Sequence, residues 1–270
     1  MRAPLQRLSL ATATLLLFLS TPHLPITTTF SLLRATAQTP DSRKVEADRL
    51  LQQGIEQYQT SQFAAALQSW QQALQLYQAI QDRQGEGASL GNLGVAYASL
   101  GDYAKAIELH TQHLAIARAL QDRQGEGNAL GNLGNAYWSL GDYAKAIELH
   151  TQRLAIARAL QDRQGEGASL GSLGNAYGSL GDYAKAIELY TQHLAIARAL
   201  QDRQGEGTAL GNLGVAYRSL GDYAKAIELH TQSLAIARAL QDRQGEGNAL
   251  GSLGNAYESL GDYAKAIELH

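Results

Sequence analysis

The stretch Gly91–Gly127, GNLGVAYASLGDYAKAIELHTQHLAIARALQDRQGEG, decides the fold, because it comes back almost unchanged. Residues Gly131–Gly167 read GNLGNAYWSLGDYAKAIELHTQRLAIARALQDRQGEG, further copies open at Gly171 and Gly211, and another starts at Gly251, all on a period of 40. A fixed period of this size marks a repeat array, in which each unit buries its apolar face only against its neighbours. The 270 residues therefore count out units rather than one or two globular domains.

Within a unit, Leu90, Leu93, Gly94, Tyr97 and Leu100 fall at i, i+3, i+4, i+7 and i+10, the stripe of an amphipathic helix, here called helix A. Gly101-Asp102 breaks it, and Tyr103, Ala106, Ile107, His110, Leu114 and Ala117 form a second stripe on helix B. Helix B also carries Leu109, Ile116 and Leu120 on an adjacent face, as a helix clamped between its own partner and the next repeat should. Asp122 stands where it can cap the following helix A, with Glu126 in the first turn. Gly91 and Gly94 inside helix A each cost about 1 kcal/mol against alanine, an expense that a close approach of helix B at Gly94 offsets. The expected fold class is all-α, a solenoid of antiparallel helical hairpins.

Outward from the repeats, residues 45–86 align with the later units at the same offset, Gly54 with Gly94 and Phe63 with Tyr103, and form a divergent, glutamine-rich first unit. Full units are drawn at 87–126, 127–166, 167–206 and 207–246, with an incomplete one at 247–270 and a polar linker at 38–44. Residues 1–37 carry Arg2 and Arg7, an apolar run from Leu8 to Leu19 and a small-residue end, Ala35-Thr36-Ala37, which is the layout of a secretory signal. The expectation is export to a periplasmic or extracellular space with cleavage near Ala37; the alternative is a membrane anchor left uncleaved. Those 37 residues hold three arginines and no acid, so without them the net charge moves from −3 to −6. A mildly acidic array repels phosphate backbones, and nucleic acid is set aside as a partner. No cysteine is present, so disulfides and thiolate metal sites are excluded.

The string L-G-x-A-Y-x-x-L-G-D-Y-x-x-A-I at Leu133–Ile147 resembles the tetratricopeptide repeat. The 40-residue period, longer than the usual 34, looks like the long-helix variant of G-protein-signalling-modulator (Pins-type) proteins, kinesin light chains and many bacterial arrays. The resemblance implies a right-handed superhelix whose helices A line a concave groove for a peptide or a partner helix. It also implies that asparagines on that face pair with a peptide backbone. Chaperone-binding members add lysines and arginines that clamp a terminal carboxylate; here the matching positions are glycine, alanine, asparagine, serine or threonine, so that clamp is not expected.

The repeats themselves point to the same face. Their differences on helix A cluster at offsets that lie opposite the leucine stripe, at Ala88, Asn92, Val95, Ala98 and their counterparts. At the last of these the series runs Ala98, Trp138, Gly178, Arg218, Glu258. Asparagine amides can donate and accept without reading side chains, and the candidate groove residues are Asn92, Asn132, Asn135, Trp138, Asn175, Asn212, Arg218 and Asn255.

Other constellations read as structure. His110 and His113, three apart on helix B, could share a metal, but His110 and its equivalents occupy a slot that Tyr190 also fills, and no third ligand is at hand. Gly85-Glu86-Gly87 followed by Gly91 is similar to a phosphate-binding loop, yet its spacing is wrong and no strand precedes it. Residues with catalytic side chains recur in every unit, whereas a catalytic constellation is normally unique in a chain. The sequence therefore predicts a non-enzymatic scaffold for a protein or peptide ligand, with no cofactor, no metal and no small-molecule substrate evident. The alternative is the sensor or scaffold part of a larger signalling protein or enzyme, for example one with a caspase-like peptidase domain. The stop at His270, inside a helix B, carries the expectation of a truncated frame and a frayed last hairpin.

Overall fold

A computed structural model describes residues 39–269, and among these there are twelve helices and no strand. In chain order they are α1 (Pro40–Gln59), α2 (Phe63–Ala79), α3 (Arg83–Ser99), α4 (Tyr103–Ala119), α5 (Arg123–Ser139) and α6 (Tyr143–Ala159). They continue as α7 (Arg163–Ser179), α8 (Tyr183–Ala199), α9 (Arg203–Ser219), α10 (Tyr223–Ala239), α11 (Arg243–Leu260) and α12 (Tyr263–Leu269). The leader expected over residues 1–37, with its cleavage point near Ala37, lies outside the described residues.

Each helix ends for a local reason. At the turn from odd to even helix, Gly101 takes φ +82°, and Asp102 caps α4 by accepting from the Lys105 N–H at 3.0 Å. At the turn from even to odd helix, Gln121 takes the left-handed conformation, and Asp122 accepts from the Gly125 N–H at 2.9 Å to start α5. The same aspartate pair recurs through the array, which is why hairpin length stays constant. Because Asp82, Asp122, Asp162 and Asp202 open the odd helices, the hairpins begin at Arg83, Arg123, Arg163 and Arg203. Those starts precede the unit boundaries drawn at 87, 127, 167 and 207; the Gly-Glu-Gly segment rides inside the first turns of the helix instead of ending a unit.

Two further expectations need correction. Residues 38–44 are not a linker: α1 begins at Pro40, with the Thr39 side chain accepting from the Ser42 N–H at 3.2 Å and Asp41 in the first turn. Proline is favoured at a first helical position, where its missing N–H would have no partner. Leu100 and Leu120, counted in the apolar stripes, are 53% and 46% exposed. Each sits at a helix C-cap, beyond the last residue that the neighbouring helix covers.

The core repeats as the chain does. Leu90, Leu93, Leu109 and Ile116 are buried in one cluster, and Leu130, Leu133, Leu149 and Ile156 in the next. Each such side chain contributes about 1.5–3 kcal/mol of burial, and the clusters cross hairpin boundaries, Ala66 and Trp70 of α2 packing in one cluster with Leu90 and Leu93 of α3. Packing also sets the curvature. Consecutive helices touch throughout, and odd helices additionally touch the next odd helix (α3 with α5, α5 with α7, α7 with α9, α9 with α11), while even helices do not meet each other. The odd helices therefore lie on the tighter, inner layer.

Candidate functional site

Position 94 and its equivalents show how a hairpin closes. A Cβ placed on Gly94 would fall 2.5 Å from His110 Cε1, so the ring lies flat against bare backbone where any side chain would collide. Trp70, His110, His150, Tyr190 and His230 fill this slot in successive hairpins, facing Gly54, Gly94, Gly134, Gly174 and Gly214. The three histidines are each 1% exposed. Burial pushes them down to about 4, so they are neutral at pH 7. Among the described residues no group of three or more potential ligands assembles into a metal site. The slot is a packing device.

On the inner face a second set of glycines in the odd helices does something different. Gly91 and Gly131 leave openings through which a helix-B side chain reaches the inner face. A Cβ on Gly91 would meet His113 Nδ1 at 3.1 Å, one on Gly131 would meet Arg153 Cδ at 2.9 Å, and one on Gly171 would meet His193 Nδ1 at 3.1 Å. In the following repeat Ser233 donates to the Gly207 carbonyl at 2.9 Å. His113, Arg153, His193 and Ser233 thus form the floor of the inner face. The sequence reading placed the variable face on helix A alone and missed them. The available signal was the exchange of His, Arg, His and Ser at one helix-B position while Gln and Leu on either side stay fixed.

Two concavities open on this face. One, of about 570 Å³, is bounded by Asn92, Asn128, Asn132 and Asn135, with His113 and Arg153 on its floor. The other, of about 470 Å³, is bounded by Thr208, Asn212, Asn248 and Ser252 over Ser233. The candidate residues consequently divide. Asn92, Asn132 and Asn135 come together in the first concavity, and Asn212 borders the second. Asn175 is committed within the fold: its Oδ1 accepts from the Tyr190 hydroxyl at 2.7 Å and lies 3.5 Å from Asn212 Nδ2. Trp138, 41% exposed, donates through Nε1 to Ser179 Oγ at 3.1 Å and so bridges α5 to α7. Tyr58 and Ser99 form the same bridge from α1 to α3 at 2.7 Å. Arg218 is half-buried near His230, and Asn255 is exposed on α11; neither borders the two concavities.

The loop edge carries its charge in closed sets. Glu126, 8% exposed, accepts from Arg118 Nε at 2.9 Å and from Arg123 Nη1, tying α4 to α5. Glu166 and Glu206 do the same with Arg158 and Arg163, and with Arg198 and Arg203. These arginines are neutralised and hold repeats together.

The chain belongs to the tetratricopeptide repeat family, whose family model matches residues 46–119, 122–199 and 205–270. Among curated proteins, no sequence matches it. Among solved structures it is similar to a kinesin-light-chain-like protein of Podosopora anserina with nearly identical TPR-like repeats, at 27% identity and TM-score 0.58 over 67% of this chain and 89% of that one. A Pyrococcus horikoshii signal-transduction ATPase of the STAND class, with a tetratricopeptide repeat sensor, matches at TM-score 0.74 and 19% identity over 85% of this chain and 36% of that chain. A Rap protein complexed with competence and sporulation factor matches at TM-score 0.63 and 17% identity, covering 83% of this chain and 72% of that one. These likenesses, with the hairpin packing above, establish a tetratricopeptide array, a fold whose members serve as protein-binding scaffolds.

Proposed function

We propose that this array is a non-enzymatic scaffold that holds a peptide or partner segment along the face made by its odd helices. The observation that carries this reading is the first concavity, where amides of Asn92, Asn132 and Asn135 on successive odd helices, unpaired among the described residues, border one recess. Free amides at that spacing suit the alternating N–H and C=O groups of an extended backbone. The complex named for the Rap neighbour supports partner binding by this kind of array. Export also belongs to this proposal, supported by the composition of residues 1–37.

A photo-crosslinker placed at Asn132, compared with one at Ala144 on the outer helix α6, tests the face used. The partner should be captured from Asn132 and not from Ala144 in the exported fraction. Equal capture from both, or capture from Ala144 alone, rejects the inner face. Intact mass of the exported protein tests cleavage, which predicts a first residue near Gln38.

A further inference from the structure

Arg153 is an arginine out of pattern. On the same helices of the array, Arg118, Arg158 and Arg198 each hold a glutamate within 2.9 Å. Among the described residues Arg153 has neither a hydrogen bond nor an ion pair, although it is half-buried on the floor of the larger concavity. Half-burial strips part of its hydration, yet none of its nitrogens is fully buried, so its donors stand open to the recess without a protein acceptor. The same burial holds its affinity for a proton below the usual arginine value. Of the nearby acids, Asp162 attracts it from a distance without forming an ion pair, and Asp122 and Asp162 each already accept a backbone N–H, from Gly125 at 2.9 Å and Gly165 at 2.8 Å. His113 and His193, at the sister positions, are driven towards neutrality by burial, and Ser233 is uncharged, so the cation belongs to this one window. Gly131 keeps the window open, because a side chain there would stand where the Arg153 guanidinium now lies.

The geometry points to Arg153 as the specificity residue of the inner face, reading one aspartate or glutamate side chain in an extended peptide bound over α3 and α5. The inference rests on the groove reading above and adds the partner's chemistry to it. The fork of the guanidinium accepts a carboxylate in two parallel hydrogen bonds, while Asn92, Asn132 and Asn135 remain available for the flanking backbone. The exposed Leu120 at the rim offers apolar contact to a neighbouring ligand side chain. This arrangement differs from a terminal-carboxylate clamp on helices A, because the cation rises from helix B between them.

Fluorescent, acetylated and amidated heptapeptide pools, with the central residue fixed as Glu, Gln, Lys or Ala and the rest randomised, provide the probe. Fluorescence anisotropy with the full mature chain at pH 7.5 should rank the Glu-centred pool about tenfold above the Gln-centred one, as expected of a charge-assisted pair replacing a neutral contact. Arg153→His should erase that preference with helicity intact, since histidine already occupies this slot in two sister repeats. Arg153→Lys should retain only part of it, because a point charge cannot pair bidentately. Equal binding of the Glu and Gln pools by the unmodified chain overturns the inference and leaves the groove reading in place. So does a preference that survives Arg153→His. Failure of every pool to bind overturns both.

Discussion

Acidification should loosen this array well above the pH at which carboxylates begin to protonate. His110, His150 and His230 are each 1% exposed, and among the described residues His110 Nδ1, His150 Nδ1 and His230 Nε2 have no hydrogen-bond partner. Desolvation is the main cause of their depression to about 4, and the charged or titratable neighbours His113, Arg153 and Arg218 respectively push the same way. Because the folded values lie below the free histidine value of 6.5, the unfolded chain binds more protons between pH 6.5 and 4. Stability is therefore complete above pH 6.5 and is lost as the pH falls through that window. At about 1.4 kcal/mol per unit, each histidine withdraws roughly 2 kcal/mol by pH 5 and roughly 3 by pH 4. The three together reach about 6 kcal/mol at pH 5, comparable with the total stability of many domains. His113 and His193, also lowered by burial, add to the effect in the same direction. Asp82 is held below its ordinary value of 3.8 by the Gly85 N–H and Lys44, and Glu206 below its ordinary value of 4.5 by Arg198 and Arg203, so what they contribute is lost mainly as the pH falls past those ordinary values, beneath pH 5. Urea midpoints followed by circular dichroism at pH 7.5 and 5.0 measure the loss. The combination His110→Phe, His150→Tyr and His230→Phe should remove most of it. Tyrosine suits position 150 because Asn135 precedes it by fifteen residues as Asn175 precedes Tyr190, whereas valines, Val95 and Val215, hold that place before the other two. Equal acid sensitivity in the triple variant and the unmodified chain would refute the reasoning.

The remaining expectations are smaller. Gly94→Ala drives a Cβ into His110 at 2.5 Å and should lower thermal stability by about 1–3 kcal/mol, and Gly134→Leu by more, whereas Gly251→Ala, with nothing within 4 Å of the added carbon, should raise it by up to about 1 kcal/mol. Asp162→Ala removes the acceptor for the Gly165 N–H and should cost about 1 kcal/mol in urea denaturation. Asn135→Ala should weaken partner binding by about 1 kcal/mol per lost hydrogen bond with an unchanged melting temperature. Asn175→Ala should also lower the melting temperature, because it strands the Tyr190 hydroxyl. Coincident melting for the two asparagine variants would remove the distinction drawn between them.

Most of the architecture is legible because one physical argument is repeated many times. Asp102 and Asp122 announce their helix starts by residue type and by position before an apolar stripe, and the structure places both as caps. The close approach at Gly94 follows from a glycine that a helix interior would otherwise reject. The misplaced features concern ends and directions. Pro40 looks like a break until its place at the first helical position is known, and Leu100 and Leu120 keep the apolar period one residue past the point where packing stops. Among the candidate residues, Asn175 and Asn135 are indistinguishable in sequence. Only the tyrosine fifteen residues after Asn175, in place of histidine, makes one a structural acceptor and leaves the other free.

The floor of the inner face was hidden for a related reason. Periodicity assigns His113 to the flank of helix B, but whether that flank looks into the stack or through it depends on what helix A presents there. Glycine at 91, 131 and 171 leaves these helix-B side chains half-buried beneath the face, since a methyl group at any of the three would press on the ring or guanidinium behind it. Two glycines three residues apart on helix A thus have opposite consequences. The one at 94 is closed by an aromatic or imidazole ring that completes the core, and the one at 91 stays open to admit a side chain from behind. An array built this way can change the chemistry of its inner face by a single exchange on helix B, from histidine to arginine to serine, while every leucine of the core and every aspartate cap stays where it was. That separation of floor from core explains how units identical over most of their length can present different windows to a partner.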